Sequence, residues 1–209
     1  MGELIYLGHA SFLIKSHDFS VVIDPYENDS VPNMKFPKVE AVDAVICSHE
    51  HYDHNGRRLV SIKDNPAPVK PISVQVPHDD CGGRKRGLNN INMFDVDGYK
   101  VVHLGDTGCA LDEETLSPFK KCDILLAPIN GYFTIGPNEL KKIYDIINPR
   151  ILIPMHYFMP KYQSGYPDGD MIALFKKVFP NYQESDNPEI VIENLDGYRG
   201  VLILNKYLQ

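Results

Sequence analysis

Short apolar runs rich in β-branched residues recur along the chain, and no other feature constrains its fold as strongly. Most of these runs are bounded by Gly, Pro, Asp or Asn, which is typical of β-strands. The predicted strands are LIYL, SFLI, SVVID, AVDAVIC, ISVQV, YKVVHLG, DILLAPI, RILIPM, EIVIE and GVLIL. Helical patterns alternate with the later strands, in DEETLSPFKK, GPNELKKIYDIINP and DGDMIALFKKVF. A strand-rich start followed by strand–helix alternation predicts an α/β (α+β) protein with two sheets faced by helices.

The length and the charge of the chain limit its organisation and its partners. The 209 residues fit a single domain that spans 1–209. The net charge of −7 argues against a protein that binds nucleic acid through a basic face. No apolar run approaches the ~20 residues that cross a bilayer, so no membrane span is predicted.

The N-terminus and the cysteines predict a cytoplasmic protein. The first residues, MGELIYLGHASFLI, lack a basic region and carry Glu3 and His9, so we expect strands there rather than a signal peptide. The four cysteines form no CxxC pair, and we expect free thiols in a reducing cytosol at Cys47, Cys81, Cys109 and Cys122. We interpret Cys81 and Cys109 as small pocket-lining residues rather than metal ligands.

The segment HEHYDH concentrates three histidines and two acids in six positions, directly after the predicted strand AVDAVIC. His49 and His51 are two residues apart, so their side chains point to the same side of an extended segment. Asp53 and His54 follow at a turn, where DHNG is expected to begin the next helix. Imidazole suits zinc, manganese or iron, and carboxylate suits the harder of these metals. One short segment thus offers up to four ligands, which is more than one metal can take without neighbouring ligands blocking each other, and this indicates two metal ions.

Further candidate ligands follow other predicted strands. His78 ends ISVQVPH, Asp106 follows VVHLG, and His156 ends RILIPMH. Side chains from distant segments converge where strands end at one edge of a sheet, so we expect these three residues near HEHYDH. His17, in KSHDFS, is interpreted as a hairpin-turn residue without a role.

This order of motifs resembles the metallo-β-lactamase superfamily: HxHxDH, a strand-end histidine, GDTG and PMHY. The flanking phrases YLGHASFLI, VVIDP and APINGYFTIGPNEL are similar to one branch, the ascorbate-6-phosphate-lactonase-like hydrolases. The resemblance covers nearly the whole chain. It implies a four-layer αββα sandwich of two mixed β-sheets flanked by helices, with a dinuclear metal site at one edge of the sheets.

The resemblance also implies a role for each candidate ligand. Ligands of the first metal would be His49, His51 and His78, ligands of the second would be Asp53, His54 and His156, and Asp106 would bridge the two. The implied cofactors are two divalent ions, Zn²⁺ first and Mn²⁺ or Fe²⁺ as alternatives.

Three assignments have two interpretations each: the choice between His78 and His103, the role of His9 and the role of Asp24. The segment between Asn55 and His78 is shorter than in the family and lacks a strand–helix unit, so His103 competes with His78. We favour His78, because a buried histidine within a strand more often supports a ligand than acts as one. His9 and Asp24 are interpreted either as ordinary strand-end residues or as hydrogen-bonding partners of the ligands, and for Asp24 we favour the second.

The implied function is a metal-dependent hydrolase that cleaves an ester, lactone or phosphodiester bond with metal-activated water. Asp53 would act catalytically by orienting the attacking water and collecting its proton. No GxSxG motif supplies a serine nucleophile. Two alternatives remain: a di-iron oxidoreductase-type member, for whose usual flavodoxin-like domain this chain has no room, and a metal-binding protein without turnover.

The expected partner is a small molecule. The sequence indicates its binding residues less clearly than it indicates the metal ligands. Rim candidates are Tyr132 and Tyr157, with Asn130, Phe133, Phe158 and Tyr162 beside them. After His78 the chain reads DDCGGRKRG. Here Arg84 and Arg86 are interpreted either as a clamp for an anionic substrate or as part of a solvated loop. The oligomeric state is left open.

Overall fold

The structure, a computed structural model, describes residues 2–157 and 171–209. Twelve strands lie within these residues, β1 to β12 in chain order: Glu3–Gly8, Ser11–Lys15, Ser20–Ile23, Ala44–Ile46, Ile72–Pro77, Leu88–Val96, Tyr99–His103, Ile124–Pro128, Ile151–Met155, Tyr182–Ser185, Glu189–Val191 and Gly200–Leu204. The α-helices in the same part of the chain, α1 to α3, are Glu113–Leu116, Pro137–Ile147 and Met171–Val178. Three 3-10 turns span Arg57–Leu59, Ser117–Phe119 and Ile192–Gly197.

The strands form two mixed sheets. The five-stranded sheet has the order β11-β1-β2-β3-β4, and the seven-stranded sheet has the order β10-β12-β9-β8-β7-β6-β5. In the first sheet, β1, β2 and β3 pair antiparallel and β4 joins β3 in parallel. In the second, β7, β8, β9, β12 and β10 are successive parallel neighbours, and β6 and β5 continue antiparallel. The predicted class is therefore confirmed: two mixed sheets with flanking helices.

The helices follow from the parallel pairing of the second sheet. A crossover between parallel neighbours is right-handed, so α1 between β7 and β8 and α2 between β8 and β9 lie on the same face of that sheet. Helix α2 contacts both α1 and α3. It begins at Pro137, buries Leu140, Ile143 and Ile147 on one face, and ends at Asn148, whose φ of 52° is left-handed.

The outer face of the five-stranded sheet is covered differently. Alternate residues such as Ile5, Leu7 and Leu13 form a second buried cluster there, closed by Val42 and Val60. The covering segment is irregular, because residues 55–71 contain a 3-10 turn and no α-helix.

The prediction that DHNG begins a helix is therefore wrong. The Gly56 N–H bonds to the carbonyl of Pro25, and a side chain at position 56 would come within 2.7 Å of the Tyr26 backbone. Tertiary docking of the loop at this point overrides any local tendency to form a helix.

Two strands are absent from the sequence-based prediction. β6, with the sequence LNNINMFDV, carries three asparagines in its first five positions, and β10, with the sequence YQES, carries no apolar alternation. β6 nevertheless pairs along its length with β5 and β7. No helix within residues 2–157 and 171–209 has the length and apolar character needed to cross a bilayer.

Candidate metal centre

The predicted ligands all follow the ends of strands, and those ends meet at one edge of the two sheets. His9 follows β1, Asp24 follows β3, His78 follows β5, and His156 follows β9. The segment from Cys47 onwards leaves β4, and Asp106 lies three residues beyond β7. Because these strands pack into the shared core, their ends are fixed relative to one another.

Asp106 lies in the middle of the cluster and is 2% exposed. Four imidazole nitrogens surround its Oδ2 atom: Nε2 of His54 at 3.2 Å, of His156 at 3.2 Å, of His78 at 3.3 Å and of His49 at 4.0 Å. The three separate segments expected at this site therefore do converge on HEHYDH.

Two groups of donor atoms contain the two ligand sets implied by the resemblance, and a third group, of His49, His54 and Asp106, spans both. Donors of His49, His51 and His78 lie within 4.8 Å of one another. A second group with the same spacing contains His9, Asp53, His54 and His156. Asp106 touches members of both groups.

Several of these donors are buried without a hydrogen bond. They are Nε2 of His54, Nδ1 of His78, both ring nitrogens of His156 and Oδ1 of Asp106. Buried polar atoms are nearly always paired in proteins, and leaving one unpaired costs about 1–3 kcal/mol. Imidazole and carboxylate together form a donor set that suits zinc, manganese or iron, so the residues present fit divalent metal ions.

Asp24 fixes the orientation of His54 from behind. It is fully buried and accepts hydrogen bonds from His54 Nδ1 at 2.8 Å, Ser48 N at 2.6 Å and Ser48 Oγ at 2.6 Å. Burial raises the pKa of Asp24, but the nearby histidines, His54 first among them, lower it by more. The pKa of Asp24 therefore lies below its usual value, and the carboxyl group is ionised. Nδ1 of His54 therefore donates, and its Nε2 faces the centre.

Ser48 sets the tautomer of His49 in the same way. Because the Ser48 hydroxyl donates its hydrogen to Asp24, it can only accept from His49 Nδ1, which lies 3.0 Å away. The lone pair of His49 Nε2 is thereby directed toward Asp106 and His51.

His103 is occupied in a way that His78 is not. Its Nε2 donates to the carbonyl of Ala10 at 2.8 Å, and its Nδ1 accepts the Gly105 N–H at 3.1 Å. No lone pair of His103 remains for a metal, whereas His78 directs Nε2 at Asp106. The geometry thus favours His78, as the sequence-based argument did.

His9 lies against the second donor group. Its Nε2 is 3.3 Å from Asp53 Oδ2, its ring centroid is 4.1 Å from that of His156, and its carbonyl accepts the His156 N–H at 2.9 Å. Burial lowers the pKa of His9 to about 4, so the neutral ring can donate its Nε2 hydrogen to Asp53. Its position favours the second interpretation of His9, as a partner of a ligand.

Three of these residues adopt a left-handed backbone conformation that is uncommon for residues other than Gly and Asn. His9, Asp24 and His156 have φ values of 55°, 45° and 52°. In each case the left-handed residue directly follows a buried strand, and it turns the chain so that the side chain enters the site. Such strain concentrates at functional sites and costs of order 1–3 kcal/mol per residue.

Asn89 and Ser48 are structural supports that the sequence-based argument missed. Asn89, on β6, donates Nδ2 to the carbonyl of Leu104 at 2.9 Å and accepts the Asp106 N–H at 2.8 Å. Gly105 has a φ of 53° and packs so closely on both supports that an added Cβ would lie 2.6 Å from that of Ser48 and closer still to Asn89 Oδ1. No motif marks either residue, because both act through contacts distant in sequence.

The predicted substrate-binding residues separate into two outcomes. Tyr132 is 62% exposed, and the guanidinium group of Arg86 lies over the rings of Tyr132 and Phe133. Tyr157 is instead 6% exposed and donates its hydroxyl to the carbonyl of Leu204 at 3.3 Å. This burial favours the interpretation of Tyr157 as an ordinary core aromatic over a substrate-binding role.

The remaining predictions are resolved by position. Arg84 is exposed, Asn130 accepts the N–H groups of Tyr132 and Phe133 in a turn, and His17 pairs with Asp97 on the surface; the role of Arg84 in substrate binding stays a prediction. Phe158 and Tyr162 lie outside the described residues.

Comparison with known proteins agrees with this arrangement. The family description of the beta-lactamase superfamily domain matches residues 3–156. A UPF0173 protein of Pyrococcus abyssi is 33% identical over 80% of this chain and 88% of its own length. A protein of Caldivirga maquilingensis, described as a UPF0173 metal-dependent hydrolase, is 28% identical over 75% of this chain and 82% of its own.

Among solved structures, a Thermotoga maritima protein described as a candidate Zn-dependent hydrolase of the metallo-β-lactamase superfamily is similar. It superposes with a TM-score of 0.72 and 29% identity, and the match covers 98% of both chains. The chain therefore belongs to the metallo-β-lactamase superfamily and, within it, to the UPF0173 family.

Proposed function

We propose that this protein is a hydrolase that works with two divalent metal ions and cleaves a small ester, lactone or phosphoester. The Caldivirga relative, described as a metal-dependent hydrolase, supports the general activity. The description of the Thermotoga protein as Zn-dependent supports zinc. Manganese and iron are the alternatives that imidazole and carboxylate donors also suit. A closer relationship to the ascorbate-6-phosphate-lactonase-like branch stays a prediction.

The observation that carries the proposal is the set of unpaired donors around Asp106. Seven residues would hold the ions: His49, His51 and His78 the first, Asp53, His54 and His156 the second, and Asp106 both. Cations would satisfy the unpaired donor atoms that face the centre, which are Nε2 of His54, Nε2 of His156 and Oδ1 of Asp106. They would also neutralise Asp106, which is surrounded by histidines rather than by lysine or arginine.

When bound, two such ions lower the pKa of a water molecule toward neutrality and polarise the substrate's carbonyl or phosphoryl group. Asp53 is suited to orient that water and to accept its proton, because 31% of its side chain is exposed whereas that of Asp106 is buried. Burial raises the pKa of Asp53, but His54 and His9 lower it below its usual range, so the carboxylate is ionised. The hydrogen bond from His9 holds one Asp53 oxygen in place.

Metal analysis together with a substrate panel tests this proposal. Protein stripped of metal and reloaded with zinc, manganese or iron is assayed for bound metal and for hydrolysis of lactones, phosphodiesters, phosphomonoesters and thioesters. We expect two ions per chain and turnover of at least one class. Asp106→Asn should lower occupancy of both sites, and Asp64→Asn is a matched control because Asp64 is an exposed aspartate that belongs to none of the donor groups.

Each other outcome points to a different function. Two ions bound by Asp106→Asn with unchanged activity would overturn the ligand assignment. Coloured protein with bound iron and no hydrolysis would favour the di-iron oxidoreductase. Two bound ions without turnover of any class would favour a metal-binding protein.

A further inference from the structure

A cavity of about 430 Å³ lies beside the candidate metal centre and takes no part in holding metal. Asp79 and Gly108 line it, and these residues follow His78 and Asp106 by one and two positions. Tyr132, Phe133 and Gly136, the residue that precedes α2, also line the cavity. A substrate with its scissile bond at the metals could therefore extend into this cavity.

Two cations line the cavity, Lys85 and Arg86, and Lys85 lies 3.6 Å from the Asp80 carboxylate. Arg86 is held by aromatic rings instead. Its guanidinium carbon lies 5.2 Å from the centroid of the Phe133 ring and 5.9 Å from that of Tyr132. Arg57, Arg58 and Arg150 each pair with a carboxylate. Among the described residues, Arg86 has no such partner, although it is half-buried. Its N–H donors are thus available to a ligand while aromatic faces hold the group in position.

In the part of the chain that the structure describes, none of the acids that line the cavity forms an ion pair with Arg86. Asp79 is buried and accepts four backbone N–H groups, from Cys81, Gly83, Lys85 and Arg86, at 2.8–2.9 Å. Asp80 is exposed and lies 3.6 Å from Lys85 Nζ. Glu139 is exposed in the first turn of α2.

Asp79 also explains why the loop is ordered. Its carboxylate ties together the backbone of residues 81–86, and these hydrogen bonds lower its pKa below the usual range despite burial. A loop held by four hydrogen bonds loses little conformational freedom on binding, so its side chains are preorganised. Arg84, in the same loop, is exposed and does not line the cavity.

We propose that this cavity binds a phosphate or carboxylate group of the substrate, remote from the bond that is cleaved, and that Arg86 rather than Arg84 recognises it. The inference rests on the proposed hydrolase function, and it replaces a clamp of two arginines with one arginine on an aromatic platform. Arginine suits this role because its planar donors match both anions in a two-pronged geometry.

Binding of inorganic phosphate and of acetate to the metal-free protein, measured by isothermal titration calorimetry, tests the cavity independently of catalysis. Arg86→Gln keeps much of the side-chain stem and removes the charge, and we expect it to weaken binding of the preferred anion about 10-fold or more. Arg84→Gln is the matched control and should change affinity less than twofold. Phe133→Leu should weaken binding by a smaller factor, because the guanidinium group loses its platform. Circular dichroism verifies that each variant is folded.

The result distinguishes this proposal from the proposed function. Anion binding that depends on Arg86 would stand even if no hydrolysis were found. Equal losses in both arginine variants, or no loss in Arg86→Gln, would overturn the cavity assignment without affecting the metal site. With a substrate in hand, Arg86→Gln should raise KM for anionic substrates and leave KM for neutral analogues within twofold, while metal content stays constant.

Discussion

Replacing Gly105 with alanine perturbs the support of Asp106 without touching any proposed ligand. Gly105 has a φ of 53°, and its new Cβ would lie 2.6 Å from Ser48 Cβ and closer still to Asn89 Oδ1. The left-handed backbone costs alanine about 1–2 kcal/mol. Overpacking adds about 1–3 kcal/mol. Loss of the bond from Asp106 N–H to Asn89 adds about 1 kcal/mol. We expect the free energy of unfolding to fall by about 3–6 kcal/mol.

Gly98→Ala is the matched control for this substitution. Gly98 lies in the β6–β7 turn with a φ of 89°, and no heavy atom lies within 4 Å of its added Cβ. It reports the backbone contribution alone, so it should cost about 1–2 kcal/mol. Urea unfolding of the metal-free proteins, followed by circular dichroism, measures both values. If Gly105→Ala is no more destabilising than Gly98→Ala, the close packing behind Asp106 does not support the site as described.

Three further predictions follow from the hydrogen bonds of the centre. His78→Ala should empty or severely weaken one metal site, whereas His103→Ala should leave metal occupancy intact and lower the midpoint of thermal unfolding. Metal analysis and melting curves of the two variants measure this. If His103→Ala rather than His78→Ala lost metal, the roles of the two histidines would be exchanged. Asp24→Asn should lower metal affinity about 10–100-fold, because it loses the charge that orients His54, as chelator competition would show; unchanged affinity would contradict that role. Removing the metal should lower the melting temperature, since an ion at 100 times its Kd stabilises a protein by about 2.7 kcal/mol. Equal melting temperatures of the metal-bound and metal-free forms would argue against ions in this cluster.

The sequence was informative wherever a strand end carried an unusual side chain. HEHYDH, His78, Asp106 and His156 all follow apolar runs, so a local pattern was enough to predict that they meet. The two-sheet class was predictable for the same reason, because apolar runs and their alternation with helices are local signals.

What the sequence did not reveal depends on contacts distant along the chain. The start of β6 is rich in asparagine, and one of these residues, Asn89, bonds to the Asp106 turn rather than packing in the apolar core, so the missed strand carries a missed support. Tyr157 follows a ligand, as a rim residue would, yet it bonds to Leu204, 47 positions later. Arg84 and Arg86 look alike in the sequence, and only the fold shows that Arg86 lies over Tyr132 and Phe133 whereas Arg84 is exposed.

The left-handed backbone at His9, Asp24 and His156 has a consequence for how these positions tolerate change. Glycine and asparagine adopt positive φ easily, whereas β-branched residues do so at a high energetic penalty. In a saturation library scored for cellular abundance, these three positions should accept Gly and Asn and reject Val and Ile. His49 and His51 have ordinary backbone conformations, so their abundance profiles should not show this selectivity. Abundance alone would then separate the positions that turn the chain into the site from those that only supply a donor atom.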